Sequence, residues 1–511
     1  MDDTTRQDDT RWRSVTYDAP ETNPNVDDVH SAIPTSDPNS AVGQRITPDE
    51  GGERHGASRT PSRDSRHRAR RASVADEERY TFPDGWTNLD ELAATSPVEN
   101  VTDARIYRHR SLEETRGDDQ AYRRDEQRRA SLPPGTAAGP AEAEEKPEEA
   151  RVSKLLTEVY TLSYLVFFSF LGTLARVGLT ALTNYPDAPI IFSTVWANFG
   201  GSLVMGFLAE DRMLFRHELG TPTYDQQLAR AKRDDEETGS GSGVDLAAAK
   251  RAHVATKKTI PLYIGLAIGF CGSFTSFSAF VRDIFLALSN DLVAPGFGPT
   301  AVSRNGGYSF MAMLAVITTT VSLALSGLFL GAHLAIASER LTPSIPYPIT
   351  RKVLDPLAIF LGWGCWLGAV LLSIFPPNDD WRGRATFSLV FAPLGCLLRF
   401  YLAVRLNGMV ASFPLGTFAA NVFGTAVLGM AWDIANVPIG GIVGCQVLQG
   451  VEDGFCGCLT TISTWAVELS SLRRRSAYIY GTASVVVSLA LMIAIMGGLR
   501  WTDGFSALKC R

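Results

Sequence analysis

The amino-acid sequence predicts an all-α polytopic membrane protein, in which two inverted four-helix repeats are joined by a linker transmembrane helix and the third helix of each repeat is broken. Three observations lead to this fold class. Long apolar stretches follow one another from about residue 155, one segment of the chain occurs twice, and the first 151 residues are polar and charged. The predicted repeats cover residues 155–338 and 385–500, and the linker helix covers 353–375.

Nine apolar stretches approach the length of roughly 20 residues that a helix needs to cross a bilayer. They predict nine spans, at 159–183, 190–209, 260–288, 308–337, 353–375, 385–406, 415–434, 438–471 and 477–499. The polar residues 210–259 are expected to form a cytoplasmic loop, and 501–511 a short C-terminal tail.

The duplicated segment interrupts two of these stretches. The sequence GFCGSFTSFSAFVRD at Gly269–Asp283 returns as GFCGCLTTISTWAVE at Gly454–Glu468. Upstream, three residues recur with identical spacing: Gly172, Arg176 and Asn198 match Gly395, Arg399 and Asn421. Each copy therefore forms one membrane unit of four spans. Because four is an even number, the linker span between the units is what inverts the second copy, and functional sites in inverted repeats lie near the midplane where the repeats meet.

Basic residues in short loops predict the orientation in the membrane. The basic residues of 250–258, Arg340, Arg351, Lys352 and the run 473–475 fall on one side, which we assign to the cytoplasm. The N-terminus is then cytoplasmic and the C-terminus extracellular. Arg382 and the nearby Arg384 are exceptions, because they fall on the external side.

The first 151 residues predict a disordered cytoplasmic tail, because so few apolar residues cannot offset the entropy of the chain. The sequence RRAS occurs in it twice and suits basophilic kinases, with Ser73 and Ser131 as candidate phosphorylation sites. Such short matches also arise by chance in arginine-rich sequence, and the arginines could instead bind anionic lipid. The tail shows no pattern typical of a cleaved signal peptide.

The glycines and hydroxyl residues of the repeated segment indicate its chemistry. Unwinding in the middle of a span leaves backbone carbonyls without partners, and such carbonyls are natural ligands for a hard cation. The alternative is that small residues only permit close helix packing, as expected at Gly327/Gly331 and Gly364/Gly368. The duplication favours the functional reading. The residues concerned are Gly269, Gly272, Thr275, Ser276 and Ser278 in the first copy and Gly457, Thr460, Thr461, Ser463 and Thr464 in the second.

Amide and aromatic side chains add possible anion contacts. Asn198 and Asn421 lie mid-span at equivalent positions, and each amide can donate two hydrogen bonds, either to a ligand or between helices. Phe277 and Phe280 share a helical face, where they could simply contact lipid or core. The positive edge of an aromatic ring can also face an anion. Together these groups would form an anion path without a full positive charge.

These residues resemble the fluoride channels and exporters of the Fluc/CrcB type, in particular their fused fungal form, the FEX proteins. The resemblance covers about residues 160–500 and rests on G-x-x-x-R in the first span, the mid-span Asn, and GFCG-x-x-T-[ST]-x-S-x-[FW]. It implies that both asparagines contact fluoride at the pore mouths and that Phe277 and Phe280 are aromatic fluoride ligands. It further implies a structural sodium ion on the backbone carbonyls of Gly272, Thr275, Gly457 and Thr460, and a structural role for Arg176 and Arg399.

The resemblance also implies a hydroxyl track on the fourth span of each unit, although Ser/Thr stripes also fasten helices. The candidates are Thr318, Ser322 and Ser326 in the first copy and Ser484 and Ser488 in the second. Asp283 and Glu468 match the acidic residue of the family and are candidate vestibule acids, or else members of salt bridges. The hydroxyls of Ser278, Ser463 and Thr464 complete the expected fluoride path.

One departure from the family pattern concerns the aromatic pair. The second copy carries Ile462 and Trp465 where the first carries Phe277 and Phe280. This asymmetry predicts one conducting and one vestigial path, and mixed paths would pair Phe277 with Trp465 and Phe280 with Ile462.

The expected function is a fluoride-selective channel that exports the ion passively across the plasma membrane, driven by a cell-negative potential. The fused chain would work as a monomer, and neither a nucleotide-binding motif nor a hydrolytic site indicates an enzyme or a nucleic-acid partner. The alternative is a coupled fluoride/proton transporter, in which Asp283 or Glu468 would relay protons. A non-transporting membrane scaffold is a third hypothesis. The cysteines in apolar spans are expected to be reduced packing residues: Cys271, Cys365, Cys396, Cys445, Cys456 and Cys458.

Overall fold

Helices account for almost all of the regular structure of this chain. The computed structural model describes residues 154–215, 257–292, 304–376, 382–437 and 441–510, apart from 187, 193 and 509, together with Tyr80, Pro83, Trp86, Pro97, Val98, Leu112 and Glu113. These residues belong to one structural unit, Arg63–Arg511. Ser73, Ser131 and most of the predicted tail and cytoplasmic loop lie outside the described residues.

Eleven helical segments follow one another in the membrane region, and the described residues contain no β-strand. In chain order they are α1 (Lys154–Thr183), α2 (Val195–Glu210), α3 (261–274), α4 (Phe277–Ser289), α5 (Gly306–Ala337), α6 (Thr350–Ile374), α7 (Arg382–Met409), α8 (Leu415–Ala435), α9 (442–459), α10 (Ser463–Ser471) and α11 (Arg474–Thr502).

Seven helices are long and apolar enough to cross a membrane: α1, α3 with α4 as one interrupted unit, α5, α6, α7, α8 and α11. The all-α polytopic class is therefore confirmed. The other two of the nine predicted spans correspond to α2, which has 16 residues, and to the interrupted pair α9 and α10.

The two copies pack in corresponding ways. Within the first copy α2 lies along α5, and within the second α8 lies along α11. Between copies, α4 packs on α8 and α11, while α10 packs on α2 and α5. The short helix after each break therefore lies against the other copy.

Glycines allow the closest of these contacts. A Cβ added at Gly331 would lie 1.9 Å from the carbonyl oxygen of Leu203, and one at Gly206 would lie 1.9 Å from that of Leu328. Gly327 and Gly331 of α5 thus have the packing role that the sequence suggests. A Cβ at Gly364 or Gly368 of α6 would meet nothing within 4 Å. The packing interpretation is wrong for that pair, because this face of α6 is open.

Helix ends show the local signals that position them. Asn305 begins α5, where its side chain accepts a hydrogen bond from the Tyr308 N–H at 2.9 Å. Asn290 ends α4 in the left-handed conformation, with a φ of 65°, as is common for a C-terminal cap. Lys257 lies at the end of α2, where its ammonium group donates to the carbonyls of Leu208 and Asp211, each at 2.5 Å.

A disulfide bond joins Cys445, near the start of α9, to Cys510 in the C-terminal tail, with their Cα atoms 5.0 Å apart. The expectation of a reduced packing residue is wrong for Cys445. The partner lies 65 residues away, and only the folded chain brings the tail back to α9. The tail is also held by the Ser506 N–H, which donates to the Asn436 carbonyl at 3.0 Å. The other cysteines in the prediction are free thiols, of which four are buried and Cys365 is exposed.

The N-terminal tail is not wholly separate from the helices. Tyr80 donates a hydrogen bond to Asp355, Trp86 is buried against Phe400, and Glu113 forms an ion pair with Arg473. The prediction of a disordered tail is wrong for these residues. Isolated aromatic and charged side chains give no periodic signal in the sequence, yet each finds a partner on the bundle.

Candidate ion path at the helix breaks

Both breaks predicted in the duplicated segment are present. After Phe274 the backbone becomes extended at Thr275, with φ −98° and ψ 153°, and Thr460 has nearly the same conformation, with φ −91° and ψ 151°. A π-helical turn precedes each break, at Gly265–Cys271 and Val451–Cys456. Such turns are often found at functional sites. Extended backbone turns the carbonyls of both threonines out of the helical hydrogen-bond pattern.

Each break caps the helix of the other copy. The Thr460 hydroxyl accepts hydrogen bonds from the N–H groups of Phe277 and Ser278, at 3.2 and 3.0 Å. In return, the Thr275 hydroxyl accepts from those of Ile462 and Ser463, at 3.2 and 3.1 Å. The first N–H groups of α4 and α10 are thereby satisfied by a side chain from across the interface. This exchange has no sequence signal, because the cap is not adjacent in the chain.

The two mid-span asparagines hold the breaks from behind. The Asn198 side chain accepts from the Ser276 N–H at 2.9 Å and donates to the Ser276 carbonyl at 3.5 Å. Asn421 forms the same pair of bonds with Thr461, at 2.9 and 3.3 Å. Both side chains are almost fully buried. The geometry favours the fastening alternative that the sequence left open, and contact with fluoride stays a prediction.

Arg176 and Arg399 cross between the copies in corresponding ways. Arg399 donates to the carbonyl of Ile268 at 2.7 Å, while Arg176 donates to the carbonyl of Asp453 and, within its own copy, to that of Ser273. Ile268 and Asp453 occupy equivalent positions, each one residue before the duplicated segment. The geometry agrees with the structural role that the resemblance implies.

Gly457 and Gly272 provide the space for these guanidinium groups. A Cβ at Gly457 would lie 2.3 Å from a guanidinium nitrogen of Arg176, and one at Gly272 would lie 1.6 Å from a guanidinium nitrogen of Arg399. Any larger residue would push the arginine away from its carbonyl partner.

The four residues of the implied sodium site lie where the two breaks meet. The Thr275 hydroxyl is 3.2 Å from that of Thr461, and the Ser276 hydroxyl is 3.4 Å from that of Thr460. Carbonyl oxygens suit a hard cation, and extended backbone releases those of Thr275 and Thr460 for such a role, whereas Gly272 and Gly457 keep helical conformations. The guanidinium groups of Arg399 and Arg176 lie against Gly272 and Gly457 and add positive charge near these carbonyls. This charge weakens the binding of a cation there.

Three aromatic rings lie together just beyond the breaks. Phe277 packs edge-on against Phe280, with ring centroids 5.7 Å apart, and against Trp465, at 5.5 Å. The predicted proximity of Phe277 and Trp465 is thus observed, and Ile462 and Phe280 belong to the same buried cluster. The Trp465 indole N–H is buried and has no hydrogen-bond partner among the described residues. It is therefore available as a donor to a ligand.

The two predicted hydroxyl tracks differ in burial: the residues on α11 are buried, and those on α5 are exposed. In α11, Ser484 and Ser488 are fully buried, and they continue a stripe with four-residue spacing from Tyr480 to Met492 and Met496. This face of α11 points into the bundle.

In α5, the predicted hydroxyl residues Thr318, Ser322 and Ser326 lie on the exposed face. Thr318 bonds its hydroxyl to the carbonyl of Leu314 at 2.8 Å, within its own helix. These hydroxyl groups therefore lie away from the buried interior, and their place in the fluoride path stays a prediction. The buried face of α5 is set instead by Val316, Thr320 and the glycines that pack on α2.

The remaining candidate residues have partners within the protein. Glu468 accepts hydrogen bonds from the hydroxyls of Thr417 and Tyr480, both at 2.6 Å, and Asp283 forms an ion pair with Arg282 at 3.3 Å. The hydroxyls of Ser278, Ser463 and Thr464 lie at the breaks, in contact with Thr460, the Cys271 carbonyl and Thr461, respectively.

Comparison with known proteins gives the family. The family model described as "CrcB-like protein, Camphor Resistance (CrcB)" matches residues 163–332 and 386–498. The chain is 56% identical over 477 residues to fluoride export protein 1 of Neurospora crassa, covering 89% of each chain. It is 25% identical over 406 residues to fluoride export protein 1 of Saccharomyces cerevisiae, covering 70% of this chain and 97% of that protein.

A bacterial relative matches only part of the chain. The fluoride-specific ion channel FluC of Pseudomonas aeruginosa is 35% identical over 117 residues, which is 22% of this chain and 91% of that protein. No solved structure matches the chain. Because the family model matches both copies of the duplicated unit and more than half of the sequence, the chain belongs to the CrcB family.

Proposed function

We propose that this chain is a fluoride-exporting channel that conducts the anion passively along one path. Its relatives are named fluoride export proteins and a fluoride-specific ion channel, and both copies of the unit match the family. The structural observation that carries the proposal is the buried serine face of α11, which lies opposite the aromatic residues of α4.

The order of contacts along α4 and α11 supports this path. At one end, Trp465 touches both Phe277 and α11, since a Cβ at Gly481 would lie 3.6 Å from its ring. At the other end, Asp291 and Arg500 form an ion pair at 2.6 Å. Because both helices rise by about 1.5 Å per residue, Phe277 and Phe280 come level with the serines at 484 and 488 between these contacts.

A single path follows from the asymmetry of the two copies. The equivalent hydroxyl residues of α5 are on the exposed face, and the aromatic pair is replaced by Ile462 and Trp465 in the second copy. The path along α11 would offer hydroxyl groups, aromatic edges and one indole N–H. Many modest donors can offset the dehydration of fluoride without holding the ion too tightly to conduct. Phe277 and Phe280 are buried, so side-chain movement must accompany passage.

The coupled alternative gains no support from the acids. Glu468 is hydrogen-bonded by two hydroxyls and Asp283 is paired with Arg282, so both have structural partners. We therefore favour passive flow, in which the membrane potential drives the anion outward.

The finer architecture belongs to the same proposal. We infer nine spans in two inverted units, with α2 and the α9/α10 pair as the two spans beyond the seven long ones. The reciprocal capping at Thr275 and Thr460 supports a two-fold relation between units. An external C-terminus in the plasma membrane is supported by the Cys445–Cys510 bond, because disulfides persist in oxidising compartments. A structural sodium ion and function as a monomer remain part of this proposal.

Reconstitution in liposomes tests the proposed function. Vesicles loaded with potassium fluoride and treated with valinomycin should release fluoride rapidly, while vesicles loaded with potassium chloride should release no chloride. Phe277→Ile and Ser488→Ala should slow the release. Proton-dependent reversal of the flux would favour the coupled transporter, and no release from monodisperse protein would contradict a channel.

A further inference from the structure

The N-terminal tail makes three separate contacts with the helical bundle, through Tyr80, Trp86 and the pair Leu112–Glu113, which we call the docked tail residues. The Tyr80 hydroxyl donates to Asp355 at 2.6 Å, and the same carboxylate accepts from Tyr164 of α1 at 2.9 Å. The Arg351 guanidinium lies over the Tyr80 ring, 3.4 Å from its centroid. This contact therefore ties the tail to α1 and to the start of α6.

The second contact is apolar. Trp86 is 8% exposed and packs edge-on against Phe400 of α7, with ring centroids 5.0 Å apart. The surrounding cluster includes Leu165 of α1 and Ile264 of α3. An indole buried between helices of both copies contributes substantial apolar burial, so this contact is more than a surface encounter.

The third contact lies at the corner between α10 and α11. The Glu113 carboxylate forms an ion pair with Arg473 at 3.1 Å, and Leu112 packs on the cluster that contains Phe277, Trp465 and Tyr480. Arg473 precedes the helix that carries the serine stripe and stands beside two further arginines, at 474 and 475. This corner is the cytoplasmic end of the path in the proposed orientation.

We propose that the docked tail residues restrain anion entry at the cytoplasmic end of the path. Three arginines at the start of α11 concentrate anions at this end, as a charged mouth does for its ligand. Glu113 removes one of these charges by pairing with Arg473 and adds a carboxylate that repels an incoming anion. Tyr80 and Trp86 fix two further points of the tail on the bundle. This inference rests on the proposed function and adds the chain's own tail as its regulator.

Fluoride efflux from liposomes containing the full chain tests the inference through Glu113→Gln. At roughly 0.01 M ionic strength, where screening extends over about 30 Å, the variant should release fluoride several-fold faster than the unmodified chain. At about 1 M the difference should nearly vanish, because screening is then complete within about 3 Å.

Two controls identify the cause. Glu144→Gln removes the same charge from the tail outside the docked residues and should leave efflux unchanged. In an Arg473→Gln background, Glu113→Gln should raise efflux much less than in the unmodified chain. Equal rates for Glu113→Gln and Glu144→Gln at low salt would overturn the inference. Selective fluoride release by the unmodified chain would still uphold the proposed channel, so the two failures are distinguishable.

Discussion

Thr275 and Thr460 are the residues on which the join between the two copies depends. Each hydroxyl accepts hydrogen bonds from N–H groups at the N-terminus of a helix in the other copy. Neither copy therefore supplies this cap for its own helix. Buried N–H groups without partners are costly, which makes the exchange a condition for both copies to fold together.

Replacing Thr460 by valine should destabilise the protein by about 1–3 kcal/mol, because two N–H groups of α4 lose their acceptor while the side-chain shape is kept. Thr425→Val is the matched control, since the Thr425 hydroxyl is equally buried and, among the described residues, bonds only the Asn421 carbonyl of its own helix. Denaturation of both variants in detergent measures the difference. Equal loss in the two variants would show that the capping has no special weight.

Trp465 carries a buried indole N–H that has no hydrogen-bond partner among the described residues. Replacing it with phenylalanine keeps an aromatic ring against Phe277 and removes the N–H. Stability should stay unchanged or rise, because an unsatisfied buried donor is lost, whereas fluoride efflux should fall several-fold. Trp501→Phe, on an exposed side chain, is the control. Unchanged efflux in Trp465→Phe would remove the indole from the path.

At the scale of single helices, α5 and α11 differ in which hydroxyl face they bury. Close packing on α2 through Gly327 and Gly331 fixes the rotation of α5, and this leaves Thr318 and Ser322 on its open side. The stripe on α11 faces inward because α11 packs on α8 and α4.

The two faces can be compared directly by substitution. Ser488→Ala should slow fluoride efflux several-fold, because it removes a buried hydroxyl from the path. Ser322→Ala should leave the rate unchanged, because its hydroxyl lies outside the bundle. Flux measurements on matched amounts of both variants provide the test. Sensitivity to Ser322→Ala together with a silent Ser488→Ala would place conduction along the other helix.

The end of α2 carries a pH-sensitive cap. Burial lowers the pKa of Lys257 to about 8, partly offset by Asp211 and Glu210, which favour its charged form. In the unfolded chain a lysine titrates near about 10.4, so between these values the unfolded state binds more protons. Stability should therefore rise with pH between about 8 and 10.

Thermal unfolding across that pH range measures the effect. The unfolding temperature of the unmodified chain should rise relative to that of Lys257→Met as the folded-state ammonium loses its proton. The variant lacks this titration while keeping most of the aliphatic packing. Parallel curves for the two proteins would mean that Lys257 does not titrate in this range.

At the scale of the whole molecule, the Cys445–Cys510 bond marks one end of the bundle. It joins the tail that follows α11 to the start of α9. The same tail bonds to Asn436, which lies at the end of α8. The proposed orientation places this end outside the cell, where a disulfide is stable.

Reduction from one side tests this orientation. A membrane-impermeant reductant added to intact cells should expose two new thiols to an impermeant maleimide. The background variant carries Cys365→Ser, because that thiol is exposed on α6. The further substitution Cys445→Ser with Cys510→Ser should abolish the labelling. Labelling only after the membrane is opened would reverse the proposed topology.

Local patterns of the sequence determined much of this protein. The length of the apolar stretches predicted the seven helices that can cross a membrane. The duplicated Gly/Thr/Ser segment predicted both breaks, at Thr275 and Thr460, and the Gly-x-x-x-Arg and Asn positions marked the residues that hold them. Such features can be read from sequence because they depend on neighbours along one helix or on a repeat that survives in the residues themselves.

Only the tertiary structure decided which faces and which distant residues meet. The outward rotation of Thr318, the exchange of caps between copies, the Cys445–Cys510 bond and the docking of Trp86 all depend on contacts between residues far apart in the chain. Helix periodicity places a side chain on a face, but packing against other helices decides whether that face points to the interior or outward. The sequence supplies the donors, and the packing of the two copies decides which of them share a path.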